Sequence, residues 1–333
     1  MFRKIIYAVC ILLIFLAGWV IKGFFNKPQG VPFMPKSTDK TLEKYTIANL
    51  SKTQIQPGIL NIKNVIKEEK TYSSYLFEFA FNPNFDMNLT KKTTGQINIP
   101  KELNKFPLIL MLRGYIDQKR YITGDGTRNA AAFFAKEGFI TIAPDFLGYG
   151  GSDEDAQNIF EARFQAYVAT LSLIKSLDQI GAWDNENIFI WGHSNGGQIA
   201  LTILELTEAN YATALWAPVS KPFPYSVLYY TDASEDRGKL IRSELAKFEK
   251  DYDPDHYSLD LYLDKIRAPL QIHQGGNDAA VPQSWSDNLV FSLKKLKKDI
   301  TYRVYPNADH NMRPDWNKVV STDLTFFKKY LKQ

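Results

Sequence analysis

The chain alternates short apolar runs with amphipathic stretches along most of its length after residue 70. Continuous apolar runs such as PLILML (107–112) and FITIAP (139–144) are typical of strands buried on both faces of a sheet. A stretch such as 160–177, with apolar residues three or four apart, predicts an amphipathic helix. Strands that alternate with helices predict an α/β fold with a mostly parallel central sheet covered by helices on both faces.

The predicted elements follow one another in a regular order, with one interruption. Strands are predicted at 75–81, 95–99, 107–112, 139–144, 187–192, 212–218, 268–274 and 300–306, and helices at 129–138, 160–177, 196–208, 284–298 and 317–331. Residues 219–267 carry many aromatic residues and a charged helical stretch but no clear buried strand. We interpret this segment as a helical insertion. Two hypotheses remain: it forms a lid over a site, or it is a helical addition on the surface with no role in substrate choice.

The first 25 residues differ from everything that follows. An uncharged apolar run extends from Ile5 to Ile21, near the short end of the roughly 17–25 residues that span a bilayer as a helix. Ala17 and Gly18 are followed by bulky residues, which makes a poor signal-cleavage site. We therefore expect an uncleaved membrane anchor, with secretion after cleavage as the alternative. Arg3 and Lys4 favour a cytoplasmic N-terminus and place the rest of the chain outside the cytoplasm.

Three parts are predicted along the chain. Residues 1–25 form the anchor, which contacts the lipid bilayer through residues 5–21. Residues 26–70, polar and containing several prolines, form a tether and N-terminal extension. Residues 71–333 form the α/β domain, with the insertion at 219–267.

Composition excludes several classes of function. The net charge is only +4, and the Lys and Arg residues are scattered, so no nucleic-acid partner is expected. Cys10 is the single cysteine, and no Cys/His cluster has the spacing of zinc ligands. We therefore expect neither a disulfide within the chain nor a metal or other cofactor.

A glycine-serine-glycine turn stands between a predicted strand and a predicted helix. Gly192, His193, Ser194, Asn195 and Gly196 fit the pattern G-x-S-x-G. In that context the pattern is typical of a nucleophile elbow, a strained turn that lifts the serine hydroxyl to the carboxyl edge of the sheet. The glycines are needed because side chains there would collide with neighbouring backbone. Ser194 is therefore the candidate nucleophile.

A nucleophilic serine needs a base, and the base needs an acid that orients it. Asp278 and His310 each lie in a loop after a predicted strand, in the chain order Ser, Asp, His that this kind of site uses. We predict His310 as the general base and Asp278 as its orienting acid. Asp309, adjacent to His310, cannot easily reach round to the imidazole ring.

The remaining histidines compete poorly for the role of base. His193 lies inside the turn and is expected to be packed, His273 is expected in the core, and His256 has no strand end to position it.

An oxyanion hole requires two donors that point at the developing negative charge. The backbone N–H of Asn195, directly after the nucleophile, is one candidate. The other is the N–H of Tyr115, in the loop after the 107–112 strand, where Gly114 permits close approach and Arg113 could face the site. Asp145 is expected to hold its own Gly-rich loop instead.

The chain resembles the prolyl oligopeptidase family of serine peptidases, which has the alpha/beta-hydrolase fold. The matching pieces are LRGY, GFITIAPDFLGYGGSD, NIFIWGHSNGG, GGNDAAVP and NADH, in family order and within residues 95–331. Where the family typically has His or Tyr before the glycine of the oxyanion loop, this chain has Arg113. Large family members carry an N-terminal propeller, for which we expect no room in the 70 or so residues before the hydrolase core.

The resemblance implies a serine peptidase that cleaves an amide bond of a peptide or small molecule through an acyl-enzyme. A carboxylesterase on small acyl esters is the alternative. A binding protein that keeps the fold without catalysis is a third hypothesis, which the complete set of Ser194, Asp278 and His310 disfavours.

Overall fold

The structure is a computed structural model that describes residues 40–85, 89–102 and 104–332. Nine strands form one sheet in the described chain. They are β1 Ile59–Glu68, β2 Tyr72–Phe81, β3 Lys91–Pro100, β4 Phe106–Leu112, β5 Ile140–Pro144, β6 Trp183–His193, β7 Thr213–Trp216, β8 Leu270–Gly275 and β9 Ile300–Tyr305.

The sheet is mostly parallel, as the apolar runs predict. Its strand order is β1-β2-β3-β5-β4-β6-β7-β8-β9. The pairs from β5-β4 through β8-β9 are parallel, whereas β1-β2, β2-β3 and β3-β5 are antiparallel. Because neighbouring parallel strands end at the same edge, the loops after β4, β6, β8 and β9 converge there.

Helices cover both faces of the sheet, as predicted. The α-helices of the described chain are α1 Ile47–Leu50, α2 Arg128–Lys136, α3 Ile159–Ile174, α4 Asn195–Thr207, α5 Tyr225–Leu228, α6 Lys239–Asp251, α7 Gln283–Lys295 and α8 Trp316–Lys329. Helices α2 and α8 contribute Phe134 and Phe327 to the core on one face. Helices α3 and α4 contribute Phe164 and Leu201 to the core on the other. The sequence and the structure thus agree on an alpha/beta-hydrolase fold.

The insertion at 219–267 packs tightly onto α3. The rings of Phe164 and Tyr257 stack with centroids 4.8 Å apart, and those of Phe160 and Phe248 lie 5.1 Å apart. Phe223 joins the same cluster. A lid that opened by lifting this segment would have to break these aromatic contacts.

Part of the segment predicted as a tether, residues 26–70, is folded: the described structure begins at residue 40. Residues 59–68 form β1 at the edge of the sheet, and the Tyr257 hydroxyl donates to the Leu42 carbonyl at 3.1 Å. The pattern concealed β1 because all of its residues except Leu60 are exposed, so no buried face stands out in the sequence.

The anchor predicted at residues 1–25 lies outside the described residues. Within residues 40–85, 89–102 and 104–332, no helix has both the length and the apolar character needed to cross a bilayer.

Candidate active site

Ser194 occupies a strained turn between β6 and α4. Its φ of 56° and ψ of −120° are values that side-chain-bearing residues rarely adopt. The turn is held from both sides, because the Ser194 N–H donates to the Trp216 carbonyl at 2.9 Å and the Val219 N–H donates to the Ser194 carbonyl at 3.0 Å. The side chain is half-buried at the carboxyl edge of the sheet, where the sequence predicts the nucleophile.

The two elbow glycines are required by close backbone packing. A Cβ on Gly192 would lie 2.8 Å from the Gly196 carbonyl oxygen, and a Cβ on Gly196 would lie 2.6 Å from the Arg113 carbonyl oxygen. Both distances are shorter than real Cβ contacts, so no larger residue fits without moving β4 or α4.

Asp278 and His310 meet at the same edge as Ser194. His310 Nδ1 lies 2.8 Å from Asp278 Oδ2, and the side chain of Asp278 is fully buried while that of His310 is 21% exposed. Asp278 lies in the loop after β8 and His310 in the loop after β9, which explains how residues far apart in the chain come together. With Nδ1 bound to Asp278, Nε2 is the ring nitrogen that remains to act as the base.

Asp278 is held as a carboxylate. Burial opposes its ionisation, but the hydrogen bond from His310 and those from the Val281 and Ala280 N–H groups outweigh burial and keep the pKa of Asp278 below its usual value. Both N–H groups donate to Oδ1 at 2.8 Å, which leaves Oδ2 for the imidazole. The arrangement fixes the His310 tautomer with the proton on Nδ1.

Asp309 is engaged elsewhere. Its Oδ1 accepts the N–H groups of Asn311 at 2.8 Å and Arg313 at 2.9 Å. It therefore stabilises the loop that carries His310 and does not contact the imidazole ring.

The other histidines are packed or exposed as expected. His273 is fully buried, with Nε2 2.8 Å from Asp323 Oδ1, and His256 is exposed. His193 is buried, but its Nε2 lies 2.9 Å from the His310 carbonyl oxygen and its ring centroid 4.6 Å from that of His310. Burial lowers the pKa of His193 to about 4, with the neighbouring His310 acting in the same direction. His193 is therefore neutral and donates to His310, a contact that the sequence did not predict.

The loop after β4 lies directly against Ser194. A Cβ on Gly114 would be 2.9 Å from Ser194 Cβ and 3.5 Å from its Oγ. Among the described residues, the backbone hydrogen bonds of turns, loops and helix caps include none that is donated by the Tyr115 N–H or the Asn195 N–H. Asn195 is also the first residue of α4, where an N–H has no partner within the helix. These two N–H groups are the donors that the sequence suggests for an oxyanion.

Arg113 and Asp145 organise the loops around that position. The Arg113 guanidinium donates to the Gly114 carbonyl at 2.9 Å and to the Asp145 carbonyl at 2.7 Å, and lies 3.9 Å from the centroid of the Tyr149 ring. The Asp145 carboxylate accepts the hydroxyls of Tyr121, Thr94 and Thr123 at 2.6–2.7 Å. Asp145 thus ties loops together, as expected, and Arg113 supports the backbone before Tyr115.

A cavity of about 250 Å³ opens beside Asn195 and Tyr115. Arg163 of α3 forms part of its wall. Its Nη2 donates to Gln198 Oε1 at 2.8 Å and its Nη1 lies 3.4 Å from Asn195 Oδ1. Arg163 was not predicted as a site residue. In the sequence it is a cation within a largely apolar helix, and nothing in that pattern indicates that α3 packs beside the nucleophile turn.

A larger cavity of about 650 Å³ lies on the other side of His193, between α2 and α8. Its lining includes Trp191, Trp216 and Trp316 but not Ser194, Asp278 or His310. The lining of the smaller cavity also lacks these three residues, but it includes Tyr115 and Asn195, whose N–H groups are the candidate oxyanion donors, and we therefore associate the smaller cavity with the reacting centre.

Comparison with known proteins identifies the family of this chain. A model of the prolyl oligopeptidase family matches residues 126–333, which include Ser194, Asp278 and His310. The chain belongs to the prolyl oligopeptidase family. It is accordingly a serine hydrolase of the alpha/beta-hydrolase fold.

Two relatives of this chain differ in how much of their own length the match covers. An uncharacterised peptidase of Bacillus subtilis, YtmA, is 26% identical over 242 residues, which cover 72% of this chain and 89% of the relative. Dipeptidyl aminopeptidase BIII of Pseudoxanthomonas mexicana is 25% identical over 230 residues, which cover 64% of this chain and 31% of the relative. The chain thus spans about a third of that aminopeptidase's length.

A solved structure of similar fold carries the name of an esterase. Acetyl xylan esterase from Paenibacillus sp. R4 superimposes with a TM-score of 0.64 at 17% identity, over 90% of this chain and 97% of the esterase. At this identity the likeness shows the shared fold.

Proposed function

We propose that this family member cleaves peptide or other amide bonds through an acyl-enzyme formed on Ser194. The observation that carries the proposal is the 2.8 Å contact between Asp278 and His310 at the sheet edge that also presents Ser194. A buried carboxylate, an oriented imidazole and an elbow serine are the three parts that such a reaction needs.

The proposed reaction uses these groups in the following order. Ser194 Oγ attacks the substrate carbonyl carbon while its proton passes to His310 Nε2. The carbonyl oxygen becomes an oxyanion and accepts hydrogen bonds from the N–H groups of Tyr115 and Asn195. His310 then returns the proton to the leaving amine, and the acyl group stays on Ser194. A water molecule, deprotonated by His310, releases the acid and restores the serine.

Ester hydrolysis is the second candidate function. The cavity beside Asn195 is small, about 250 Å³, which suits a short acyl group better than an extended peptide. The same residues would act in the same order, with an alcohol in place of the amine as leaving group.

A labelling experiment tests the proposal. Wild-type protein should react covalently with a fluorophosphonate probe and hydrolyse members of a panel of peptide anilides and short acyl esters, whereas Ser194→Ala should do neither while keeping its thermal unfolding midpoint. Labelling that persists in Ser194→Ala would assign the wrong serine. Turnover of anilides beyond that of matched esters, relative to their uncatalysed rates, would favour the peptidase over the esterase.

A further inference from the structure

Arg163 brings a permanent positive charge to the cavity beside Asn195. The residue is half-buried on α3 and lines the cavity, and its guanidinium contacts Asn195 and Gln198, which line the cavity too. Its two described hydrogen bonds go to neutral amide oxygens, those of Gln198 at 2.8 Å and Asn195 at 3.4 Å. A guanidinium stays charged at any physiological pH, so this charge cannot be removed by deprotonation.

No carboxylate of the described chain forms an ion pair with Arg163 within 4.0 Å. Asp155 also lines the cavity, but its Oδ2 accepts the Gln118 amide at 3.0 Å. Arg113, the other cation in the wall, is occupied by backbone carbonyls. Two guanidinium groups against one carboxylate leave the wall with a net positive charge.

The cavity lies on the acyl side of the proposed reaction. Its lining contains neither Ser194 nor His310, but it includes Tyr115 and Asn195, whose N–H groups would hold the oxyanion, so a substrate that enters the cavity extends past the oxyanion donors and away from the base that must protonate the leaving group. A group that reaches Arg163 therefore belongs to the acid that remains on Ser194.

We propose that the cavity selects acyl groups that end in a carboxylate, and that Arg163 binds this carboxylate. The inference rests on the proposed function and names its substrate class: a short dicarboxylic acyl group, or an acidic side chain next to the scissile bond. Arg163 suits the task because a planar guanidinium can meet both oxygens of a carboxylate. The hydrogen bonds to α4 hold the guanidinium in place before the substrate arrives.

The test compares two esters that differ only in charge. The mono-p-nitrophenyl ester of glutaric acid carries a terminal carboxylate, and p-nitrophenyl pentanoate has a methyl group in its place. The measured quantity is the ratio of kcat/KM for the charged ester to kcat/KM for the neutral one. We expect the ratio to exceed one in the wild type and to fall at least tenfold in Arg163→Met, with Arg163→Lys between the two.

Arg267→Met is the matched control. It removes the same charge just before β8, at the opposite edge of the sheet, where Arg267 pairs with Glu208 at 2.6 Å. The ratio should be unchanged in this variant. A drop of equal size in Arg163→Met and Arg267→Met would mean that net charge, and not a local contact, attracts the substrate.

A binding measurement separates the inference from the proposed function. Free glutarate should raise the thermal unfolding midpoint of the wild type more than the uncharged glutaramide of the same length does, and Arg163→Met should abolish the difference. If neither ester nor any anilide is hydrolysed, the proposed function fails, while the glutarate shift still decides whether Arg163 binds a carboxylate. If the neutral ester is hydrolysed but the ratio does not exceed one, or if Arg163→Met lowers turnover of both esters equally, the inference alone is overturned.

Discussion

His193 donates a hydrogen bond from Nε2 to the carbonyl oxygen of His310, 2.9 Å away, and the two imidazole rings lie 4.6 Å apart. The contact joins the residue before the candidate nucleophile to the candidate base. With its pKa lowered to about 4 by burial, His193 stays neutral and does not repel the positive charge that develops on His310.

Replacing His193 should lower kcat, because His310 would lose a hydrogen bond that holds it in position. His193→Phe removes the donor, and because a hydrogen bond contributes about 0.5–1.5 kcal/mol, we expect kcat to fall by up to roughly tenfold with a smaller change in KM. His193→Gln keeps an N–H donor at a similar reach and should recover most of the loss. Steady-state kinetics on one chromogenic ester measures both variants, with the exposed His256→Phe as the control. Equal losses in the Phe and Gln variants would contradict a role for the hydrogen bond.

Asp278 and Asp309 should respond very differently to the same substitution. Asp278→Asn keeps the shape but allows the wrong imidazole tautomer, so kcat should fall by a factor on the order of 10³–10⁴, as in the Asp-to-Asn exchange of a chymotrypsin-type enzyme. Asp309→Asn affects only the turn of the loop and should cost far less. His310→Ala combined with Asp278→Asn should be little worse than His310→Ala alone, because the two residues act as a unit. Losses that multiply would show that Asp278 does not act through His310.

Glu205 makes the stability of the fold depend on pH. Both carboxylate oxygens are buried in α4 and find no hydrogen-bond partner among the described residues, and burial, with the nearby Asp260 and Asp264, raises the pKa of Glu205 well above its usual value. In the unfolded chain the group releases its proton near pH 4.5, whereas the folded protein retains it, so the free energy of unfolding falls as pH rises above about 4.5.

Glu205→Gln should remove this pH-dependent loss, because an amide of similar shape does not ionise. We expect a higher thermal midpoint than the wild type at pH 8 and a smaller difference at pH 5. Thermal unfolding at both pH values checks the prediction. A difference that is the same at both would show that the gain does not come from ionisation.

We propose that residues 1–25 anchor the protein in a membrane with the hydrolase domain outside the cytoplasm. Deleting them should yield an active protein that no longer sediments with membranes, because residues 5–21 are apolar and precede the described fold. Fractionation of cells that express the full and the shortened chain measures this. Full-length protein that stays in the supernatant without detergent would contradict the anchor.

The buried strands could be predicted from the sequence, whereas the exposed strand and the contacts between distant helices could not. Strands β4 and β5 are continuous apolar runs with both faces covered, so their positions follow from composition alone. Strand β1 has only Leu60 buried, and the sequence predicts a tether in its place, because a strand without a buried face leaves no periodic signal. Ser194, Asp278 and His310 could be chosen because strand ends and chain order constrain them. Arg163 could not, because the packing of α3 beside α4 depends on the three-dimensional fold.

The insertion at 219–267 contains none of the residues proposed to carry out the reaction, yet its Phe248 packs against Phe160 at the start of α3, the helix that bears Arg163. Mutations that reshape this aromatic layer would shift the wall of the cavity while the reacting groups stay where the sheet places them. Evolution could therefore change what the enzyme accepts by drift in the part of this segment that packs on α3, without replacing any of the reacting groups. A designer could do the same by exchanging only the aromatic residues of the segment that face α3.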